Sequence, residues 1–134
     1  MQTIDGTIMA FLAMRDEPDL DPLITKWLSE SRTVLAPLVQ WSEGTMAPAE
    51  LRPPLPAVHP NPKAKPREPN GAVMSQSPPA VVLVPGVAFT AEGSRLGRGG
   101  GFYDRFLRTL PKSTLRIGVG FSPQVMQVLP TERH

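Results

Sequence analysis

A chain of 134 residues has room for one compact domain with a real core, and its lack of cysteine excludes disulfides, thiolate metal sites and thiol nucleophiles. With only His59 and His134, a histidine-built metal centre or a Ser-His-Asp triad is poorly supplied. The formal charge of +2 is too small to mark a nucleic-acid binder, but it is uneven: residues 1–52 carry 4 Lys/Arg against 8 Asp/Glu and residues 53–134 carry 10 against 4, so the second half is the natural partner of an anion.

The opening "MQTIDGTIMAFLAM" places an acid before its apolar run and has no basic n-region, unlike a signal peptide. No apolar stretch is long enough to cross a membrane, so the expectation is a soluble, cytoplasmic protein. Thr7–Met14 is almost wholly apolar, as in a strand covered on both faces. Leu20, Leu23, Ile24, Trp27 and Leu28 then recur at helical spacing, with Asp21-Pro22 as an N-cap followed by proline at the first helical position. Thr33–Trp41 reads as a second strand, in which Pro37 argues for an edge or a bulge, and "GTMAPAEL" as a further short strand. Trp27 and Trp41 are assigned to the core.

Residues 53–79 hold 9 of the 17 prolines, a density that suits a surface linker of polyproline character; no regular P-x-x-P series favours a ligand motif instead. His59 lies in this stretch and is expected to be solvent-exposed. Ala80–Phe89 contains the strongest strand signal, ended by Pro85-Gly86. Tyr103, Phe106, Leu107 and Leu110 form a helical stripe, Leu115–Phe121 a strand and "SPQVMQVL" a short helix. Apolar strands alternating with helices predict a single α/β domain with a mostly parallel sheet flanked by helices.

Between the strand at Val81–Val84 and the helix near Phe102 runs "PGVAFTAEGSRLGRGGG". It is placed at the carboxyl end of a buried strand, where open α/β sheets bind ligands. Its glycines remove the Cβ atoms that would block close approach, and successive N–H groups can line a concave nest. Arg95 and Arg98 add forked donors suited to phosphate oxygens, and the loop opens a helix whose N-terminus favours an anion. Phosphate binding is the physical inference. The spacing fits neither the Walker A loop nor the dinucleotide fingerprint G-x-G-x-x-G. An Arg-Gly RNA-binding box is the other precedent, but such boxes repeat in disordered tails, whereas this one is single and lies between a strand and a helix. Asp104, in the first helical turn, is either dipole compensation or a carboxylate that holds Mg2+ already bound to phosphates.

"RLGRGGGFYDRFL", preceded by "VVLVPGVAFTAEG", resembles the signature of the 5-formyltetrahydrofolate cyclo-ligase (5,10-methenyltetrahydrofolate synthetase) family. "FLAMRDEPDLDPLI" is similar to that family's first strand and helix start, and "REP" at Arg67–Pro69 to its mid-chain I-x-E-P element. The resemblance implies a Rossmann-like sheet and an ATP- and Mg2+-dependent enzyme. In that family the N5-formyl oxygen of the folate is phosphorylated, N10 attacks the activated carbon, the ring closes and phosphate leaves. Carried over by position, Arg95, Leu96, Gly97, Arg98, Gly99, Gly100, Gly101, Phe102 and Tyr103 would contact ATP. Arg98 would be the catalytic cation, and Arg98 to Phe102 would also border the folate. Leu12 and Glu17 would bind the folate, and Asp104 would be a metal ligand.

The sequence departs from the family pattern at its ends. The expectation is that the family's leading basic helix and closing acidic strand lie outside it, which would depress turnover. Two alternatives stay open: a non-catalytic nucleotide- or folate-binding relative or inactive fragment, and a nucleic-acid-binding module whose affinity falls steeply with salt. The expected partners are 5-formyltetrahydrofolate and ATP, without nucleic acid or membrane, for a monomer by default.

Overall fold

The computed structural model describes residues 6–57, 67–69, 73–97 and 101–126. Four strands are parallel neighbours, β2 (Val34–Gln40), β1 (Ile8–Met9), β4 (Val81–Val84) and β7 (Leu115–Gly118), and β3 (Thr45–Glu50) adds an antiparallel strand beside β2, giving the order β3-β2-β1-β4-β7. Helix α1 (Asp21–Ser29) connects β1 to β2, and α2 (Phe102–Arg108) precedes β7. Parallel neighbours need such crossovers, and the helices they bring cover both faces of the sheet.

Alternation along the strands divides the core. Ile8, Ala10, Val34, Ala36, Val81 and Leu83 pack with Leu20 and Ile24 on the α1 side. Met9, Leu35, Val82 and Val84 point the other way, to Phe106 of α2. That two-sided burial is why these strands read as continuous apolar runs. Edge strand β7 is the exception, with Leu115 and Ile117 exposed.

The mostly parallel α/β sheet agrees with expectation, and several local readings need correction. The first strand is shorter than Thr7–Met14: only Ile8 and Met9 pair, although burial continues through Ala13. Asp21 is not an N-cap. Helix α1 begins at Asp21 itself, whose N–H is taken by Asp19 Oδ1 at 2.9 Å, while its carboxylate turns toward Arg67. Pro37 lies in an internal strand rather than at an edge. It is tolerated because β1 pairs only as far along as Leu35, and because Pro37 stands opposite Pro48. The Pro48 carbonyl points outward to Ser75 N–H at 2.9 Å, so neither proline is asked to donate across the pair. Of "SPQVMQVL", the described residues 122–126 form a 3-10 turn at Ser122–Gln124 in place of the expected short helix, and the rest lies outside the described residues. β8 (Val125–Met126) follows and pairs with β5 (Ala88–Thr90), a contact made in space that local spacing does not encode. Trp41 is 47% exposed instead of buried. The proline-rich stretch is not wholly surface: Pro53 and Pro54 are exposed, but Pro69 and Pro79 are buried, as is the Arg67 side chain. His59 lies outside the described residues.

The helical stripe can be tested at two neighbouring positions that its periodicity treats alike. Ile24 is fully buried, whereas Leu23 is 39% exposed. Ile24→Ala is expected to cost about 2–5 kcal/mol of unfolding free energy by urea titration, and Leu23→Ala about 0.5 kcal/mol. Equal losses would contradict the way α1 faces the sheet.

Candidate functional site

Strand order places the candidate site. From β1 the chain moves outward to β2 and β3, then returns to the opposite side of β1 as β4 and continues to β7. β1 and β4 are parallel neighbours, with Ile8 opposite Val81 and Met9 opposite Val82. The connections leaving their carboxyl ends therefore diverge from adjacent points, the crevice where open α/β sheets bind ligands. The first connection carries Leu12 and Glu17. The second carries Arg95 to Asp104.

The connection after β4 is more ordered than a glycine-rich loop suggests. β5 and β6 (Arg95–Leu96) form an antiparallel hairpin, with Val87 N–H donating to Leu96 O at 2.7 Å. This fold-back returns Arg95 to the end of β4, where its Nη1 donates to Pro85 O at 3.0 Å. Gly86 permits the approach: a Cβ there would stand 2.9 Å from Arg95 Cγ and 3.2 Å from Leu96 O. Gln124 fastens the same turn from the far side, its Nε2 donating to the carbonyls of Gly86 and Val87 at 2.9 and 3.1 Å.

Arg95 Nη2 donates to Asp104 Oδ1 at 2.9 Å, and its guanidinium lies 5.7 Å from the centroid of the Tyr103 ring. Arg95 is largely covered while Asp104 is about half exposed, so the carboxylate remains open to solvent. Tyr103 links the two connections. Burial is the main cause that raises its phenol above the ordinary range; the Glu17 carboxylate raises it further, and Arg95 acts in the opposite sense. Glu17 is thus an electrostatic neighbour of Tyr103 although it follows a different strand. Its Oε1 also accepts from Met14 N–H at 2.8 Å, while Glu17 N–H donates to Met14 O at 3.0 Å, closing a tight turn.

Gly101 precedes α2 with φ +72°, a left-handed conformation that glycine adopts without a Cβ penalty. α2 spans seven residues and has no side-chain cap, so its dipole adds less to an anion site than a long helix would. Phe102 stands edge-on to Trp41, with centroids 5.6 Å apart, and under the Arg105 guanidinium at 5.1 Å. Arg105 Nε and Nη2 donate to Gly44 O at 2.9 and 2.6 Å, tying the β2–β3 turn to the start of α2. Among the described residues no cluster of three His, Asp or Glu could hold a metal by itself.

Of the residues singled out from sequence, Glu17, Arg95, Tyr103 and Asp104 are brought together. Leu96, Gly97, Gly101 and Phe102 flank them, partly covered. Leu12 is 6% exposed and packs into the α1-side core, so it offers a ligand at most an edge. Arg98, Gly99 and Gly100 lie outside the described residues. Sequence reasoning missed Gln124, Arg105 and Arg67, which act through backbone carbonyls far away in the chain; no local motif marks such a partner. Trp41 carried an aromatic signal but was assigned to the core.

Comparison with known proteins agrees in one direction. The model of the 5-formyltetrahydrofolate cyclo-ligase family matches residues 2–134. A 5-formyltetrahydrofolate cyclo-ligase of Escherichia coli (strain K12) is 34% identical over 131 residues, covering 94% of this chain and 71% of that protein. One from Mycolicibacterium smegmatis is 31% identical, covering 96% of this chain and 68% of its own length. The solution structure of Aquifex aeolicus 5,10-methenyltetrahydrofolate synthetase superposes with a TM-score of 0.72 at 30% identity, covering 96% of this chain and 63% of that one. The chain thus spans roughly two thirds of the length of the relatives it matches. No helix among the described residues is long and apolar enough to cross a membrane.

Tyr103 is the only tyrosine in the sequence, so alkaline titration of tyrosinate absorbance reads it alone. The midpoint is expected above the ordinary value of about 10, and Glu17→Gln should lower it by removing a neighbouring negative charge. Because the unfolded phenol ionises first, the stability this residue contributes is complete below about pH 10 and is lost as pH rises through the folded value. An ordinary midpoint that ignores Glu17 would separate the two connections.

Proposed function

The chain belongs to the 5-formyltetrahydrofolate cyclo-ligase family, and from that membership we propose that it closes 5-formyltetrahydrofolate to 5,10-methenyltetrahydrofolate with cleavage of ATP. The observation that carries this reading is the meeting of two chemically different connections at the switch point. A carboxylate, Glu17, comes from β1; a cationic, glycine-rich segment comes from β4 and reaches the same tyrosine. One suits an amine- and amide-bearing heterocycle, the other a polyphosphate.

In the proposed reaction the formyl oxygen attacks the γ-phosphorus and ADP departs. N10 then attacks the activated carbon and gives up its proton to the departing phosphate or to water, and phosphate leaves with the former formyl oxygen. Transfer of this kind depends on positioning and on stabilising charge spread over the phosphoryl oxygens. Arg95 and Arg98 are assigned that charge, with Leu96, Gly97, Gly99, Gly100 and Gly101 allowing backbone N–H groups to approach. Tyr103 keeps its proton at neutral pH and so can donate a hydrogen bond to the nucleotide. Glu17 orients the folate, with Leu12 beneath it and Phe102 at the border between the two substrates.

Asp104 would hold Mg2+. A single half-exposed carboxylate suits an ion that arrives on phosphates and keeps much of its water, rather than one held in an all-protein cage. When bound, the ion would neutralise charge on the transferring phosphate. Arg95 and Asp104 now pair with each other, so nucleotide and metal would each claim one partner of an existing ion pair. A reaction of folate metabolism of this kind fits a cytoplasmic setting.

The deciding experiment incubates the protein with 5-formyltetrahydrofolate, ATP and Mg2+ and follows methenyl absorbance. Product formation that requires both ATP and Mg2+ is expected; binding of ATP and folate without product would leave a non-catalytic relative. Arg98→Ala should weaken ATP binding by about 1.5–3 kcal/mol, as for a lost charge-assisted hydrogen bond, and calorimetry with equal affinities would remove Arg98 from the site. Glu17→Gln should raise KM for the folate while leaving that for ATP within about twofold. Parallel loss of both would make Glu17 a structural cap of its turn.

A further inference from the structure

Arg67 lies in the proline-rich stretch, yet its side chain is only 6% exposed. Its guanidinium joins three parts of the chain. Nη1 donates to Asp21 Oδ2 and to Pro56 O, each at 2.8 Å. Nη2 donates to Ala13 O at 2.9 Å and to Asp21 Oδ1 at 3.1 Å. Nε is buried with no hydrogen-bond partner among the described residues. The carboxylate is held by both nitrogens of the fork, a geometry that the point charge of lysine cannot reproduce.

The two anchor points bracket one segment. Ala13 is the last residue of the buried run that follows β1, and Asp21 is the first residue of α1. Between them lies residues 14–20, with Glu17 in its turn. Apart from Leu20, this segment contributes no buried apolar side chain, so packing alone fixes it weakly. Burying a guanidinium with one carboxylate is at best a weak gain in stability over an apolar pair. What it does supply is a fixed distance between the two ends of the segment.

We propose that Arg67 is a positioning residue for the folate: by clamping Ala13 O and the Asp21 carboxylate, it sets the span of the segment that presents Glu17 to the switch-point crevice. The inference rests on the assignment of Glu17 to the folate. It gives the proline-rich stretch a role in substrate geometry.

Three variants of the full chain test it: Arg67→Met, which keeps the length of the stem, Arg67→Lys, which keeps the charge but not the fork, and Asp21→Asn. Hydrogen exchange reports the clamp without any turnover. Amides of residues 14–21 are expected to exchange about tenfold faster in Arg67→Met, while those of β4 and α2 stay within about twofold of the unaltered protein. Kinetics report the consequence: KM for 5-formyltetrahydrofolate should rise about tenfold with KM for ATP within about twofold, and Arg67→Lys should resemble Arg67→Met more than the parent. Unchanged exchange in residues 14–21 overturns the clamp. Faster exchange throughout the sheet, or equal increases in both KM values, overturns the positioning role and leaves a general structural one. If Arg67→Met does not unfold cooperatively, Arg67→Lys and Asp21→Asn decide by the same criteria. Failure of the parent to form methenyl product would sink the cyclo-ligase reading alone, since the exchange measurement still decides the clamp.

Discussion

Everything at the candidate site hangs from one constraint, the parallel pairing of β1 with β4. The two strands are short, and their paired residues are buried on both faces, so neither can shift by a residue without carrying an apolar side chain into the wrong layer. Their common direction brings both outgoing connections to one end of the sheet. Their separation in sequence means that those connections have unrelated compositions, one acidic and one basic. A crevice with opposite charge on its two walls follows from topology before any individual side chain is considered.

Three arginines use the same device at different places. Each is fixed by backbone carbonyls brought near by the fold: Arg95 by Pro85, Arg105 by Gly44, and Arg67 by Ala13 and Pro56. A carbonyl presents a directional acceptor without a competing charge, so it orients a guanidinium while leaving most of its positive charge for another partner. Arg67 spends that charge on Asp21 in a covered place. Arg95 pairs with a carboxylate that remains half exposed.

The small sheet of β5, β6 and β8 shows how a glycine-rich connection becomes ordered. The Phe89 ring fills the space above Gly118 and Gly120, where an added Cβ would come within 2.8 and 2.6 Å of it. These glycines accept a ring from a different strand, and through it the hairpin bearing Arg95 is seated against the main sheet. Glycine here serves packing.

Much of the architecture was legible in the chain. Doubly buried strands leave unbroken apolar runs, amphipathic helices leave a 3.6-residue stripe, and a glycine-arginine cluster stands out between strand and helix; all three are local signals. The family resemblance rests on such a cluster, and it covered Glu17 and Asp104 as well. Only the tertiary structure decided that Glu17 raises the Tyr103 phenol, that Trp41 stands beside Phe102 outside the core, that Val125 and Met126 form a strand, and that Arg67 is buried. Pairings of this kind join residues separated by tens of positions, and their geometry is set by strand order and register. Periodicity reports how a residue relates to its own element. It carries no information on which carbonyl or ring another element will bring to meet it.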